Sequence, residues 1–581
     1  LGAASVVVAA IAASAAHGDL SFVDNTAAAG ITAVHYPSSA LEQGVTILAM
    51  LSGGGVVGDF NRDGFEDIFF VSGGQLPDRL YINNGLGQFV DEAESWGVAI
   101  KHMGLAACVG DFDGNGWLDI YVTSGGPDGA IPTAGKHRLY RNSGRGFFEE
   151  VAAAAGVNKA SPITCDGLGC AFGDYDLDGD LDLFVAGWLG QSKGNRLFRN
   201  NGDGTFTDVT VAAGIPLVGT RGFSPRFADM NGDGHPEILL AADFGTSKYF
   251  RNNSDGTFTN ITAESGTGLD SNGMGQTVGD FNGDGRLDWY VTSIYATGNP
   301  ETPGTGNMLY QALKGEHRYA EVSVQAGVND GNWGWGACAA DLDHDGRLDL
   351  LETNGWPVYP EFVGQPSRVW RNLGNAPDGV PVFEDVAARS GLWHTLQGRG
   401  MLTADFDLDG DQDVVIFAYK GPVKLYRNAL KSSDRWLRLA IDRGSAVAVP
   451  PDGFGTTVTA FDSDQPSSWA ALRRVDGGTN FQSQSELAVH IGVGPRQVVD
   501  LRVDWPDGTS SMIRRLETNQ NLTIHARQRG DIDEDGRVDA IDLGLLLSAW
   551  GPSDPADEHD LNCDGGVDSL DLLLLLQQWS P

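Results

Sequence analysis

One nine-residue pattern, D-x-[DN]-x-[DN]-G-x-x-[DE], recurs seven times along this chain of 581 residues, and it constrains the fold more than any other feature. The copies start at Asp59, Asp111, Asp174, Asp229, Asp280, Asp341 and Asp405, at intervals of 52, 63, 55, 51, 61 and 64 residues. Position 3 is Asn61, Asp113, Asp176, Asn231, Asn282, Asp343 and Asp407, and position 5 is Asp63, Asn115, Asp178, Asp233, Asp284, Asp345 and Asp409. The acid at position 9 is Asp67, Asp119, Asp182, Glu237, Asp288, Asp349 and Asp413. Alternate side-chain oxygens at positions 1, 3 and 5 converge on one point when the loop curls. A glycine at position 6 allows the sharp turn, and the acid at position 9 closes the cage. An all-oxygen, mostly anionic donor set selects a hard cation, and Ca²⁺ fits best. An Asp-Gly hairpin turn without metal would not need four such side chains.

An EF-hand would place Glu at position 12 and continue into a helix. Here position 12 is mostly apolar, with Glu352 the exception, and β-formers such as Ile68-Phe69-Phe70-Val71 and Val414-Val415-Ile416 follow. Each loop therefore feeds a strand. Two further signatures come after it. One is Leu-Tyr-Arg-Asn-like, as in Leu139-Tyr140-Arg141-Asn142 and Leu425-Tyr426-Arg427-Asn428, with Leu309-Tyr310 a degenerate copy. The other is Phe-x-Asp-Val-like and begins at Phe89, Phe148, Phe206, Phe258, Tyr319 and Phe383. About four short strands per repeat is the content of one propeller blade. The seventh repeat lacks its last segment, and the missing piece stands at the N-terminal end as Phe22-Val23-Asp24-Asn25-Thr26. A first strand that completes the last blade closes a ring and removes an exposed sheet edge. The expected fold is all-β: a seven-bladed calcium-loop β-propeller over residues 18–429, then a small β-rich domain and a small helical module.

The loops, with their recurring Gly-Asp-Phe lead (Gly58-Asp59-Phe60, Gly110-Asp111-Phe112, Gly279-Asp280-Phe281), resemble FG-GAP/VCBS repeats of the integrin α-subunit type. The resemblance implies a calcium-binding propeller and leaves activity open. Residues 430–527 lose the repeat and read as a β domain of about 100 residues. Their Gly453-Phe454-Gly455, Phe481-Gln482-Ser483-Gln484-Ser485, Ile491-Gly492-Val493-Gly494, Trp505-Pro506-Asp507-Gly508 and Asn519-Gln520 resemble the ASPIC/UnbV domain of cartilage-acidic-protein-like sequences. No chemistry follows from that resemblance.

Residues 528–581 carry a 29-residue duplication that maps Asp531 onto Asp560 and Trp550 onto Trp579. The first copy offers Asp531, Asp533, Asp535, Asp539 and Asp542 at loop positions 1, 3, 5, 9 and 12; the second offers Asp560, Asn562, Asp564, Asp568 and Asp571. An acid at position 12 followed by an apolar helical run is an EF-hand loop with only its exit helix. Fifty residues make a small core, so two ions are expected to complete it. The duplication resembles a type I dockerin. In that family positions 10 and 11 help choose the cohesin partner. Here they are Ala540-Ile541 and Ser569-Leu570, unequal and apolar, and the exit helices lack the family's usual basic residues. This points away from a cellulosome-type cohesin and leaves a cohesin-like or cell-surface partner.

Asp and Glu total 77 against 39 Lys and Arg, a net charge of −38. That excess excludes nucleic acid as a partner and disfavours an anionic membrane surface. Nine Ca²⁺, about seven in the propeller and two in the terminal module, would neutralise about half of it. Residues 1–16 are apolar and end in small residues, with Ala13-Ser14-Ala15 as a cleavage signal, so residues 1–17 read as the remnant of an export leader. No other stretch approaches the roughly 20 apolar residues of a membrane span. A secreted or surface location follows, and a dockerin-like tail suggests a bacterial source. Among five cysteines, Cys108 and Cys338 read as buried apolar residues, Cys165 and Cys170 are close enough for a local disulfide, and Cys563 is left over.

The face opposite the calcium loops is expected to carry the long connections Ser124–Lys136, Ser293–Asn307 and Asn354–Ser367. Trp188, Trp333, Trp335, Trp356, Tyr359 and Trp393 lie in such connections, where flat aromatics either meet a sugar or fill blade interfaces. His102, His317, His394, Arg221 and Arg399 lie in or near them without a catalytic motif. Two functions remain. One is a non-catalytic adhesion or binding protein for a glycan or an extracellular protein. The other is a polysaccharide lyase or hydrolase docked through its terminus. A convergent Lys/Arg/His/Tyr cluster at one mouth of the channel would favour the second. Chelation with EDTA should lower the melting temperature strongly and melt the C-terminal module first. Unchanged melting and circular dichroism would remove the calcium reading of the loops.

Overall fold

The structure is a computed structural model. It describes residues 19–37, 46–125, 136–158, 167–189, 194–216, 218–296, 304–444, 446, 448–478, 480–526, 530–533, 537–553, 559–561, 565–577 and 579. The leader-like segment, Cys165 and Cys563 lie outside these residues, so neither the export reading nor the Cys165–Cys170 pairing is described.

Strands dominate. Among the described residues, seven antiparallel sheets of four repeat-derived strands follow one another. Gly104–Gly110, Asp119–Ser124, Arg138–Asn142 and Phe148–Glu150 make a representative sheet. In every repeat the acid at position 9 is the first residue of the second strand, so each loop does feed a strand. The last sheet takes its outer strand from the N-terminal end: Phe22, Val23 and Asp24 pair antiparallel with Asn428, Arg427 and Tyr426. This is the pairing that the offset between the sequence signatures demands.

The first strands are rich in Gly and Ala, as in GLAACVG and GWGACAA. Small residues are required where strands crowd together. A Cβ on Gly55 would meet the Phe69 carbonyl oxygen at 2.5 Å and the Phe417 ring at 2.6 Å. The second strands are buried along their whole length and made of Ile, Leu, Val, Phe and Tyr, because both faces pack on neighbouring sheets.

Neighbouring sheets are joined by a recurring side-chain rivet. The Asn that ends each Leu-Tyr-Arg-Asn strand donates through Nδ2 to the carbonyl at loop position 2 of the preceding sheet. Asn142 reaches Phe60 (2.9 Å), Asn200 reaches Phe112 (2.8 Å), Asn252 reaches Tyr175 (2.8 Å) and Asn372 reaches Phe281 (2.9 Å). Asn428 reaches Leu342 (3.0 Å), and Asn83 of the first sheet reaches Phe406 of the last (2.8 Å). The fifth sheet has Ala312 at this position and no such donor. A second set of bonds joins the outer edges: Phe89, Phe148 and Phe258 donate their N–H to Ala29, Trp96 and Ala213 of the preceding turn, at 2.8–2.9 Å.

The second domain is a two-sheet sandwich. Arg435–Asp442 pairs antiparallel with Val489–Gly494 and parallel with Gln520–His525. The facing sheet runs Ala470–Arg474, Thr457–Asp462, Val498–Asp504, Ser510–Glu517. Their inner faces form one core that includes Leu437, Val458, Ile491, Leu501 and Trp505. From this sandwich residues 476–478 and 480–485 enter the space between the first strands of the repeat sheets. Ser483–Gln484 pairs parallel with Gly55–Val56. Val109 donates to Gln484 Oε1 (3.0 Å), Ala337 donates to the Asn480 carbonyl (2.9 Å) and Thr403 donates to Ser485 Oγ (3.1 Å). Gly477 bridges to Phe172, and Asp476 pairs with Arg226. One short segment thus touches the first strands of six repeats.

The C-terminal residues hold two helices, Ala540–Ser548 and Ser569–Gln577, around a small core of Ile532, Val538, Leu546, Val567 and Leu575.

Replacing Asn142 with Ala removes a buried donor and strands the carbonyls of Phe60 and Leu118. A loss of about 1–3 kcal/mol is expected. Urea unfolding of the calcium-loaded protein should show it, and an unchanged midpoint would demote the rivet to a by-product of packing.

Candidate metal centres and ligand-binding faces

The loops have one shared geometry. The position-1 acid accepts from the backbone N–H groups of positions 5 and 6: in the first loop Asp59 takes Asp63 (3.0 Å) and Gly64 (2.8 Å), and in the second Asp111 takes Asn115 (3.0 Å) and Gly116 (2.7 Å). The position-9 acid is buried and faces two ways. Asp119 accepts from Phe112 N at 3.1 Å and from Asn142 N, on the next strand, at 2.7 Å. Asp67, Asp182, Asp349 and Glu237 repeat the arrangement. The glycine at position 6 is left-handed in every loop, from φ +80° at Gly285 to +94° at Gly410. Position 4 is left-handed too, and in four loops it is not glycine: Arg62, Leu177, His344 and Leu408 have φ of 56–63°. Such residues cost roughly 1–2 kcal/mol each, a strain that ligand geometry explains and that the motif as written does not contain.

In the second, third, sixth and seventh loops, three carboxylates bring ligand atoms within 4.8 Å of one another: Asp111/Asp113/Asp119, Asp174/Asp176/Asp182, Asp341/Asp343/Asp345 and Asp405/Asp407/Asp409. In the first, fourth and fifth loops an amide stands at position 3. There Asn61, Asn231 and Asn282 donate Nδ2 to Asp63, Asp233 and Asp284 at 2.9–3.0 Å. In the C-terminal module Asp531, Asp533 and Asp542 form a fifth group. Asp542 accepts from Ile532 N (2.6 Å) and Asp539 N (2.8 Å), and Asp539 caps the following helix through Ile541 N. The second copy repeats this with Asp571 on Asp568 N, Asp568 on Leu570 N, and Asp560 on Gly565 N. Asp535, Asn562 and Asp564 lie outside the described residues.

The electrostatics fit a cation. Burial, reinforced by neighbouring acids, pushes Asp67 up to about 9, Asp345 to about 8, and Asp111, Asp174 and Asp405 to about 7. Burial likewise holds Asp119, Asp182, Asp288, Asp349 and Asp413 well above the usual carboxylate range. Asp176 Oδ1, Asp341 Oδ1 and Asp343 Oδ1 are buried without a hydrogen-bond partner. Crowded, buried carboxylates with orphaned oxygens are relieved either by protonation or by a positive charge among them, and a cation keeps them ionised. The donor set is oxygen throughout, which is calcium chemistry.

The second domain sits on this face. Arg473 and Gly492 N both donate to Asp341 Oδ2 (3.3 and 3.0 Å), and Arg474 donates to the Asp229 carbonyl (3.1 Å). Arg438 bridges Glu66 (2.6 Å) and Glu486 (2.7 Å). A Cβ on Gly410 would meet the Trp436 ring at 1.9 Å, and one on Gly346 would meet Trp469 at 2.8 Å, whereas Gly64 and Gly234 face open space. The sixth loop is therefore sealed under the sandwich.

The opposite face differs from a sugar platform. Trp188, Trp333, Trp335 and Trp356 are buried in one cluster with Phe223, Phe362 and Phe481, and Tyr359 packs against it. Trp333 stacks on Trp356 at 5.1 Å, and Phe481 of the inserted segment meets Trp335 at 5.0 Å. Leu48, Ala49 and Leu51, from the short helix Thr46–Leu51, join the same cluster. Of the six aromatics, Trp393 alone is half-exposed, at 48%. Arg399 is fully buried: its guanidinium lies 4.5 Å from the Trp335 ring, Nη1 bonds the carbonyls of Gly355 and Gly398, and burial pushes it down to about 9. The other candidates are dispersed. His102 pairs with Asp78 (2.6 Å), His394 faces Tyr426 (3.3 Å), Arg221 lies over Phe244 (4.9 Å), and His317 stands on the metal face between Asn231 (3.3 Å) and Tyr249 (2.9 Å). Among the described residues they form no shared cluster at the mouth.

Comparison with known proteins agrees with this anatomy. The FG-GAP-like repeat model matches residues 59–122, 174–240 and 229–291; the "ASPIC and UnbV" model matches 447–531; the "Dockerin type I domain" model matches 512–578. The chain thus carries FG-GAP repeats, an ASPIC/UnbV segment and a type I dockerin domain. It is 26% identical over 477 residues to cartilage acidic protein 1 of Xenopus tropicalis, covering 78% of this chain and 60% of that protein. With the mouse and human proteins of that name it shares 25% over 502 residues, 80% of this chain and 63% and 62% of theirs. The chain therefore spans about three-fifths of the length of the curated relatives it matches. Among solved structures, rhamnogalacturonan lyase YesW aligns at 15% identity with a TM-score of 0.35, covering 64% of this chain and 71% of that one.

Asp343→Ala removes a ligand whose Oδ1 has no other partner. Native mass spectrometry should then count one calcium fewer than in the parent protein. An unchanged count would show that the sixth loop does not bind.

Proposed function

We propose that this chain is an exported, calcium-stapled binding protein. Its seven repeat sheets form the blades of one closed ring, each loop holding one Ca²⁺ through its positions 1, 3, 5 and 9. Two more ions complete the half-EF-hand loops at 531–542 and 560–571. The observation that carries this reading is the set of crowded, buried carboxylates, whose orphaned oxygens call for cations while their backbone bonds tie loops to strands. Calcium here is a structural element of a rigid scaffold rather than a reagent.

The scaffold serves to present surface. The inserted segment from the second domain fills the axis on one side, and Leu48, Ala49 and Leu51 cover it on the other. The inserted segment occupies the place where an axial pocket of the lyase or hydrolase type would open. Ligands are instead met on the flanks and rims, by a glycan or an extracellular protein. The dockerin domain supplies attachment to a cohesin-type or surface partner. Ile541 and Leu570, at the positions that help choose such a partner in that family, are more than half exposed on their helices. A secreted or surface location fits the dockerin and FG-GAP content, and a bacterial source rests on the dockerin domain alone. No helix among the described residues is long and apolar enough to cross a membrane.

A glycan array probed with the calcium-loaded protein, each positive then incubated and checked by mass spectrometry, tests the reading. Binding with no product is the expected outcome; a shortened or unsaturated product would make the chain an enzyme.

A further inference from the structure

On the metal face, a cleft of about 340 Å³ lies between the fourth and fifth loops and the strand Ala470–Arg474 of the second domain. Small-molecule pockets span roughly 300–1,000 Å³. The cleft stands at the junction that lacks its rivet. Met230, whose carbonyl is in the position that accepts from Asn at the six riveted junctions, and Ala312, which replaces that Asn, both line it. The neighbouring cleft, between the fifth and sixth loops, is smaller, about 250 Å³, and its riveting residue Asn372 is not part of its wall.

The cleft has an apolar floor and a cationic rim. Met230, Leu287, Tyr319 and Leu472 form the floor, and Arg286, Arg318 and Arg474 converge on the rim. Three guanidinium groups at one cleft stand out in a chain of net charge −38. The Arg474 side chain is 7% exposed; its Nη1 bonds the Asp229 carbonyl and lies 3.6 Å from the Asp229 carboxylate, and its Nε is buried with no hydrogen-bond partner. Arg286 pairs with Asp284 through Nη2, while its Nε is likewise buried and unpartnered. Arg318 is exposed and makes no ion pair among the described residues. The acids on the wall are Asp229, whose carboxylate already accepts from Gly232, Asp233 and Gly234, and Glu316.

We propose that this cleft binds a carboxylate-bearing ligand of sugar size: a hexuronate, free or as one residue of an acidic polysaccharide. The planar fork of arginine matches a carboxylate, and the exposed Arg318 supplies the fork, with Arg286 and Arg474 behind it. Glu316 on the rim disfavours a doubly charged phosphate more than a singly charged carboxylate. The apolar floor suits the C–H face of a pyranose, and Thr457 on the wall offers a hydroxyl to its own. The proposal rests on the ligand-binding reading above and gives it a site and a ligand class.

The test is calorimetry on the full calcium-loaded chain with trigalacturonate, free glucuronate, inorganic phosphate and a neutral galactose trimer. Ala312→Asn restores the missing rivet and narrows the cleft toward the size of its riveted neighbour, and Arg318→Ala removes an exposed rim charge. Uronates should bind the parent protein, and each variant should weaken them about tenfold or more, with Ala312→Asn melting no lower than the parent. Trimer binding alone assigns a polymer end or segment; glucuronate binding as well assigns the single residue. The proposal is overturned if neither uronate binds, if phosphate binds more tightly, or if both variants bind uronate like the parent. Should Ala312→Asn fail to fold, Arg318→Ala decides by the same readout. Array binding to neutral glycans that both variants retain would leave the ligand-binding reading standing and remove this cleft.

Discussion

The buried acid that ends each loop holds the repeat body together. Asp119 is representative: one of its oxygens accepts from the loop at Phe112, the other from the adjacent strand at Asn142, and Asn142 then reaches back to Phe60 of the preceding sheet. A single carboxylate thus connects a metal loop, its own sheet and the neighbouring sheet. Burial alone would drive such an acid to the neutral form, and the crowding of Asp111 and Asp113 adds to that. A divalent cation reverses the balance by making the ionised form the stable one. Left-handed residues such as Leu177 and His344 curl each loop so that its acids face one another.

The second domain depends on the same loops. It lands on the metal face with arginines aimed at acids and carbonyls of the loops: Arg473 at Asp341, Arg474 at Asp229, Arg443 at the carbonyl of Gly114. Its inserted segment makes backbone and side-chain bonds to first strands from six of the seven repeats. Phe481 at the tip joins the aromatic cluster at the far end. Among the described residues the axis is filled in this way, and the clefts between loops stand outside it. The fifth repeat, whose Gln311-Ala312 departs from Arg-Asn, opens the larger of the two clefts compared above.

Much of this was legible beforehand. The clustering of the loop acids, the strand after each loop and the return of Phe22–Asp24 to the last sheet all followed from spacing and from which signature was missing. The local pattern carries this information because loop, strand and turn are each built from contiguous residues. The aromatic residues were another matter. Trp333 and Trp356 lie 23 positions apart in connections that read equally well as a sugar platform or as packing. Only the arrival of Phe481, more than a hundred residues later, and of Leu48 from the other end, decides for packing. The Phe481–Ser485 run was visible as a family feature, yet nothing local says that its polar side chains would be spent on the first strands of other repeats.

By itself, then, the sequence determined the all-β repeat architecture, its calcium chemistry, the closing strand and the three kinds of module, because each is set by short-range spacing. Tertiary structure alone decided that the second domain covers the metal loops, that its segment fills the axis, that the aromatic face is sealed, and that Arg286, Arg318 and Arg474 meet at one cleft. Those outcomes depend on contacts between residues more than a hundred positions apart, which are selected by shape and charge complementarity that no local pattern encodes.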